Sequence, residues 1–304
     1  LQAFSEVRGA RLKVHLEASE LAGWLRNIML EEVPAVVRVV VSHPKSLSWI
    51  ARDPLKGDPV DAWKLAELLR LGRTHEVYYS DDENRVAFRK LVKHYDALTI
   101  QQTRLKHQIG ARFRREGIVG GGSASPRKRA EYLDALDSPL VRRTVEHLYR
   151  SLDEALRSRE ETVEIMHREA RRYDEIARFR DVPGIGFILA CRFSAYIQNP
   201  HRFANKRKLW RYCGLGLTDR SSDGKPLGRK KLDPNGHKGL KDLSRKGYMG
   251  AMHCRGDNAF KRAKWRYLGR GGNETPARLK IQRKIVTTLW TLWKEGTTYQ
   301  DDKG

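Results

Sequence analysis

Three acids in the first third of the chain have the types and spacing to do chemistry on a phosphate. Glu17 closes the run Arg11–Glu17, in which Val14 and Leu16 alternate with His15. A carboxylate at the C-terminal end of a parallel strand stands where α/β sheets place their ligands. Asp58 and Asp61 follow at the start of a helical pattern, three positions apart, so both carboxylates can face one direction. Together the three can hold Mg²⁺ through hard oxygen ligands, and paired ions clamp the attacking and leaving oxygens of a phosphodiester. Each acid also has a plainer reading. Glu17 can be an exposed strand-end acid, Asp58 a helix cap, and Asp61 a first-turn acid favoured by the helix dipole.

A serine offers a second kind of chemistry. Ser221-Ser222-Asp223-Gly224-Lys225 follows the segment Cys213-Gly-Leu-Gly-Leu217. A serine that attacks a phosphodiester needs an activating partner and cations to stabilise the phosphorane. Arg220, Lys225, Arg229, Lys230 and Lys231 can supply that charge. Most segments of this composition are simply solvated loops, and the residues alone leave both readings open. Upstream, Pro183–Gly186 (PGIG) resembles the turn of a helix-hairpin-helix. There Gly184 and Gly186 would let backbone N–H groups approach a phosphate at the next helix N-terminus; an ordinary inter-helix turn is the alternative. The ten histidines show no HxxxH or HExxH spacing, and His237 is expected to meet phosphate or solvent.

Charge says what such residues would act on. Lys and Arg number 60 against 37 Asp and Glu, a formal charge of +23. An excess of this size repels itself unless a polyanion neutralises it, and bound cations release condensed counterions from nucleic-acid phosphates. Residues 201–270 concentrate the effect, with 20 Lys/Arg against 5 Asp/Glu and aromatics such as Trp210, Tyr212 and Tyr267 interleaved. Hydrophobic residues make up 39%, enough for a packed core. Cys191, Cys213 and Cys254 form no CxxC pair, which fits a reducing cytosol. No apolar run approaches the ~20 residues of a membrane span, so a membrane is not expected as a partner.

These residues need elements to position them. Arg11–Glu17 reads as a strand, Leu21–Met29 as a helix, Ala35–Val41 as a β-branched buried parallel strand, and Asp58–Leu71 as a helix capped by Asp58 with Pro59 at its first position. Val77–Tyr79 suggests one more strand. The alternation predicts an α/β domain with a mostly parallel sheet over residues 1–82. From Glu83 to Arg115 and from Ser138 to Arg178 the pattern is helical and charged, with Gly120–Pro126 as a flexible break between. Two such helices suggest an antiparallel or coiled-coil arm over 83–178, or two separate surface helices. A mostly helical domain over 179–304 follows, closed by an apolar helix at Leu279–Trp293. The fold class is therefore α/β plus all-α.

Taken in order, Glu17, His43-Pro44, Lys56-Gly-Asp58-Pro-Val-Asp61-Ala, Val182-Pro-Gly-Ile-Gly186, Arg202-Phe203, Tyr212-Cys-Gly-Leu-Gly-Leu217 and Ser221-Ser-Asp-Gly224 resemble the insertion-sequence 110 transposases, the bridge-RNA-guided recombinases. The resemblance spans nearly the whole chain. It implies a RuvC-like (RNase H-fold) domain with a DEDD acid tetrad and Mg²⁺, a coiled-coil arm, and a C-terminal transposase domain with a catalytic serine. It also implies DNA and a structured guide RNA as partners, homodimers that assemble into tetramers, and a prokaryotic, nucleoid-associated location. Glu17 matches the E of the tetrad, and Asp58 and Asp61 match its last two D's. Ser222 matches the nucleophile, with Ser221 as its rival because Asp223-Gly224 stands where the family has two glycines. No Gly-(Ile/Val)-Asp strand lies ahead of Glu17, so the first strand and its Asp are expected to be missing from this chain. The usual Lys-x-Gly-Asn reads Pro234-Asn-Gly-His237. Two other functions use the same residues: a non-catalytic nucleic-acid-binding remnant, and a RuvC-like nuclease that hydrolyses with water.

Overall fold

The computed structural model describes residues 11–47, 50, 57–218, 221–222, 225–226 and 231–301. The chain divides into two compact units, Leu1–Asp81 and Asp82–Gly304. Among the described residues helices dominate and strands are few and short.

The first unit is built on a parallel strand pair. β1 (Leu12–Glu17) and β2 (Val36–Ser42) run parallel with Glu17 opposite Ser42, connected through helix α1 (Ala22–Glu32). Ala22, Val36, Val39 and Val41 form the buried cluster. Val39, Val40 and Val41 are all buried, so this part of β2 is covered on both faces, as a β-branched run in a parallel strand should be. Helix α2 (Asp58–Arg70) packs on β1. His15 fixes that packing: buried at the middle of β1, it bonds the Leu65 carbonyl through Nδ1 at 2.7 Å and Ser42 Oγ through Nε2 at 2.8 Å.

Two expectations for this unit are corrected. Val77–Tyr79 is not a strand: an isolated antiparallel bridge joins Glu76 to Ser42, and the Val77 N–H donates to the Val41 carbonyl. The described sheet therefore has two strands. Asp58 is not the helix cap. Gly57 takes that position with extended backbone, and Asp58 is the first helical residue ahead of Pro59.

The second unit opens with two long helices. α3 spans 33 residues, Glu83–Arg115, and is capped by Asp82, whose carboxylate accepts from the Arg85 N–H at 3.1 Å. The short α4 (Arg129–Asp134) precedes α5, 31 residues over Pro139–Glu169, capped by Ser138. α3 and α5 pack side by side and antiparallel. Phe88 of α3 lies against Tyr173 beyond the end of α5, Gln102 donates to the Ala155 carbonyl at 2.9 Å, and Phe113 meets Tyr149. The seam is Phe88, Val92, Leu98, Leu105, Ile109 and Phe113; Val86 and Leu91 are only partly buried. The Gly-rich break between the helices is a packed turn. Gly121 adopts a left-handed φ of 77°, its carbonyl accepts from Tyr149 Oη, and an added Cβ would lie 2.2 Å from the Phe113 ring.

A helical bundle completes the unit: α6 (Asp174–Arg180), α7 (Phe187–Ile197), α8 (Lys206–Tyr212), α9 (Lys238–His253), α10 (Ala259–Leu268) and α11 (Glu274–Glu295). Four two-residue strands lie between α8 and α9: β3 (Leu217–Thr218), β4 (Ser221–Ser222), β5 (Lys225–Pro226) and β6 (Lys231–Leu232). The apolar core runs through α6, α7, α9 and α11 and includes Phe179, Phe193, Leu243, Ile281 and Ile285. Buried ions tie it to the long helices. Arg192 of α7 bridges Asp96 of α3 at 3.0 Å and Asp242 of α9 at 3.1 Å. Arg85 of α3 meets the buried Glu175 of α6 at 2.9 Å and stacks over Tyr173 and Trp293. Leaving such buried charges unpaired costs several kcal/mol, so these pairs fix how α3 sits on the bundle.

Candidate carboxylate site and serine hairpin

The first unit places its three acids at element ends. Glu17 is the last residue of β1, and Asp58 and Asp61 occupy the first turn of α2, the helix that packs on β1. Asp58 is exposed and Asp61 is half-buried. Asp61 Oδ1 is itself buried, has no hydrogen-bond partner among the described residues, and lies 3.9 Å from the ammonium of Lys64, a side chain only 3% exposed. The donors suit Mg²⁺ in kind, being hard carboxylate oxygens, and the unbonded Asp61 oxygen is one that a cation would satisfy. Among the described residues, however, no three His, Cys, Asp or Glu side chains converge on one metal position. Glu17, Asp58 and Asp61 thus stand on neighbouring elements without forming a closed cage.

The serine segment is a hairpin. β4 and β5 pair antiparallel with Ser222 opposite Lys225 and Ser221 opposite Pro226. Only Asp223 and Gly224 separate the paired residues in sequence, the dipeptide type that hairpins favour. This pair is nested between β3 and β6, which join Leu217 to Leu232 and Thr218 to Lys231. Arg220, Arg229 and Lys230 lie outside the described residues; Lys231 is exposed on β6.

The base of the hairpin is held by the helices. Asp233, 3% exposed, accepts from Arg211 Nε at 3.0 Å and from the Asn235 N–H at 2.9 Å, while its own N–H donates to the Gly216 carbonyl. The Asn235 backbone bond and then the Arg211 guanidinium hold its carboxyl below the usual carboxylate range, although burial works against them. On the other side Arg283 of α11 donates twice to the Leu215 carbonyl, at 2.9 and 2.6 Å.

Two sequence expectations change on contact with the helices. His237 is a structural residue, only partly exposed: it caps α9, with Nδ1 accepting from the Leu240 N–H at 3.2 Å and its ring beside Tyr196 and Tyr212. Burial, with Arg89, Lys93, Arg192 and Arg202 nearby, pushes its pKa down to about 4, so the ring is neutral and free to accept. Gly184, at φ 85°, faces the backbone of α9: an added Cβ would lie 2.3 Å from both the Ala251 nitrogen and the Gly247 oxygen. Its missing side chain lets the α6–α7 turn press onto α9. Gly186 is exposed at the start of α7, with nothing within 4 Å of the position a Cβ would take.

Cys191 and Cys213 are poor nucleophiles. No cysteine is in a disulfide, Cys191 and Cys213 are buried, and burial pushes the Cys191 thiol up to about 12.

One basic surface is missed by reading Leu279–Trp293 as simply an apolar helix. The other face of α11 carries Lys280, Arg283 and Lys284 at i, i+3 and i+4, a spacing that itself marks a cationic stripe. With α8 and α10 it lines a groove of about 1180 Å³ that reaches Leu217 of β3.

Comparison with known proteins now bears on both regions. Residues 8–115 match an IS110-type DEDD family described as Transposase, and residues 176–264 match the Transposase IS116/IS110/IS902 family. Both families are IS110-type transposases. The first match contains Glu17, Asp58 and Asp61, and the second contains the α6–α7 turn, the nested hairpin and α9. No curated protein matches the chain. Transposases act on DNA, a polyanion that a cationic excess such as this chain's suits. Among the described residues no helix is long and apolar enough to cross a membrane.

Proposed function

We propose that this protein is a site-specific DNA recombinase that cleaves and rejoins strands to excise and insert a mobile element, guided by a structured RNA. The observation that carries the reading is the pairing of Ser222 with Lys225 in a hairpin whose base is locked to a helical core, within a segment that matches a transposase family. A nucleophile needs that kind of fixed presentation beside positive charge. In the proposed step Ser222 Oγ bonds to phosphorus as the bond to the 3′ oxygen breaks. The serine proton is passed to the departing 3′ oxygen, leaving a 5′-phosphoserine link and a free 3′ hydroxyl, and rejoining reverses the exchange. Lys225, Lys231 and the neighbouring Arg220, Arg229 and Lys230 hold the phosphate.

Residues 1–82 are proposed as a RuvC-like domain, 83–178 as a coiled-coil arm and 179–304 as the transposase domain. Glu17, Asp58 and Asp61 would hold Mg²⁺, whose charge would stabilise the reacting phosphate. The unbonded, buried oxygen of Asp61 supports that role. The cationic excess supports a guide RNA beside the DNA, and the working form is proposed as a dimer or tetramer in the prokaryotic cytoplasm, at the nucleoid.

The test is covalent capture. With cognate DNA, wild-type protein should give a protein–DNA adduct on denaturing gels, and Ser222→Ala should not, while Ser221→Ala should. Adduct that persists in Ser222→Ala removes Ser222 from the role. Sequencing RNA that co-purifies with the protein tests the guide; absence of an enriched structured RNA would sink that part.

A further inference from the structure

The groove formed by α8, α10 and α11 has the chemistry of a nucleic-acid track. Six cations line it: Lys206, Arg266, Arg270, Lys280, Arg283 and Lys284. Among its described lining residues the one carboxylate is Glu295. Aromatic rings stand among the cations. Trp210 has Arg283 5.0 Å and Lys206 5.9 Å from its ring centre and is pinned by a 2.9 Å bond from Nε1 to Thr287 Oγ1. Tyr267 has Lys280 at 4.9 Å. Thr288 and Thr291 add hydroxyls along α11. Burial lowers the pKa of Arg283; burial and then Arg266, Arg262 and Lys280 lower that of Lys284 against the pull of Asp301, so like charges crowd Lys284. A polyanion relieves that crowding.

We infer that this groove binds a single strand of DNA, the strand whose phosphate the nested hairpin receives. Chemistry argues for one strand. Cations alternating with half-buried rings are what an unpaired strand uses, through phosphate contacts and base stacking. Direction argues for DNA. The groove reaches Leu217 of β3, and Arg283 on its wall holds the Leu215 carbonyl just ahead of that strand. A strand lying in it is delivered to the hairpin that carries Ser222. The inference rests on the recombinase reading for the strand's destination, but not for its binding.

The experiment uses the full chain and a fluorescent 20-nucleotide oligo-dT, with oligo-U of equal length and a duplex as competitors. The variants are Arg266→Gln/Lys280→Gln, both exposed positions, and Tyr267→Ala; Arg143→Gln/Arg150→Gln, exposed on α5, is the control. Thermal melts establish that each variant folds. We expect the groove double variant to weaken oligo-dT binding about tenfold and to flatten the slope of log K against log salt by about 1.4, two single-strand phosphate contacts. Tyr267→Ala should lose about tenfold with the slope unchanged. The control should bind as wild type does. Unchanged binding in both groove variants, an equal loss in the control, or preference for oligo-U or duplex over oligo-dT each overturns the inference. Ser222→Ala separates it from the recombinase reading. If that variant still forms adduct while the groove variants lose oligo-dT, the serine is wrong and the groove stands; if it abolishes adduct while the groove variants bind normally, the reverse holds.

Discussion

The two regions with candidate chemistry are mounted differently. The hairpin of Ser222 springs from a bundle in which each anchoring group makes more than one contact. Asp233 receives two donors, Leu215 receives both arms of Arg283, and Arg192 reaches carboxylates on two other helices. The carboxylates of the first unit stand on the ends of a strand and a helix, and the described residues do not draw them into one cage. The contrast suggests a division of labour. A nucleophile must be placed before the substrate arrives, whereas acidic ligands gain by waiting for the cation that offsets their repulsion. Four experiments break or sharpen this comparison.

The largest effect should come from the α6–α7 turn. Gly184→Ala puts a methyl group against the backbone of α9 and demands a left-handed φ of an L residue. We expect a loss of about 4 kcal/mol, read as a collapse of the second unit's melting transition. Gly186→Ala, with open space around it, should melt within about 0.5 kcal/mol of wild type. Equal melting of the two variants would mean the bundle under the hairpin is not the rigid mount argued here.

Next comes pH, through His237. Its folded pKa, about 4, lies below the unfolded value of 6.5, so between these limits the unfolded chain binds the extra proton. Stability is therefore full above pH 6.5 and falls as pH drops toward 4, by about 3 kcal/mol. His237→Asn keeps an acceptor over the Leu240 N–H and should flatten this limb of the urea stability–pH curve while staying within about 1 kcal/mol at pH 7. Asp242 acts in a separate window. Burial alone would raise its pKa, but bonds from Lys246, Arg192 and Arg245 hold it at about 2, so its contribution is lost only below the ordinary carboxylate range. A slope between pH 6.5 and 4 that survives His237→Asn would assign it elsewhere.

These two sites also show where sequence reading stops. The long helices of the second unit were legible because their apolar positions recur over many turns and Asp82 and Ser138 mark their starts. β1, β2 and α2 were legible from β-branched runs and Pro59. The role of Gly184 was not, because its reason is the backbone of α9, some sixty residues away in sequence, and no local pattern encodes that approach. His237 read as a polar loop residue because a histidine cap has no periodic signature. The nested hairpin was hidden by strands only two residues long, too short to alternate, although Asp223-Gly224 was the usable hint. The groove on α11 was masked by the helix's apolar face, which dominates any average over Leu279–Trp293.

A more local cut tests the hairpin's base. Asp233→Ala removes the acceptor of Arg211 and of the Asn235 N–H, and should cost about 2 kcal/mol, the range for hydrogen bonds to a buried charged group. Because Asp233 follows β6 directly, amide hydrogen exchange in β3 and β6 should speed up far more than in α9. Uniform speeding across the unit would mean that the base is not a separate anchor, and the contrast with the first unit would weaken.

The smallest effect belongs to the first unit and sharpens the comparison from the other side. If Glu17, Asp58 and Asp61 wait for a cation, Mg²⁺ should stabilise this unit and leave the hairpin's unit unchanged. At a tenfold excess over Kd the gain is about 1.4 kcal/mol, seen as a rise of its melting transition with Mg²⁺ and not with Na⁺. Glu17→Gln/Asp61→Asn should abolish the rise. Without metal the same variant should melt no lower than wild type, because removing like charges offsets the lost ligands and Asp61 Oδ1 has no hydrogen bond to lose. A drop without metal would make these acids structural, held by Lys64 in place of a divalent ion. The argument that the carboxylates are placed loosely in order to be closed by a cation would then fail, whatever the serine does.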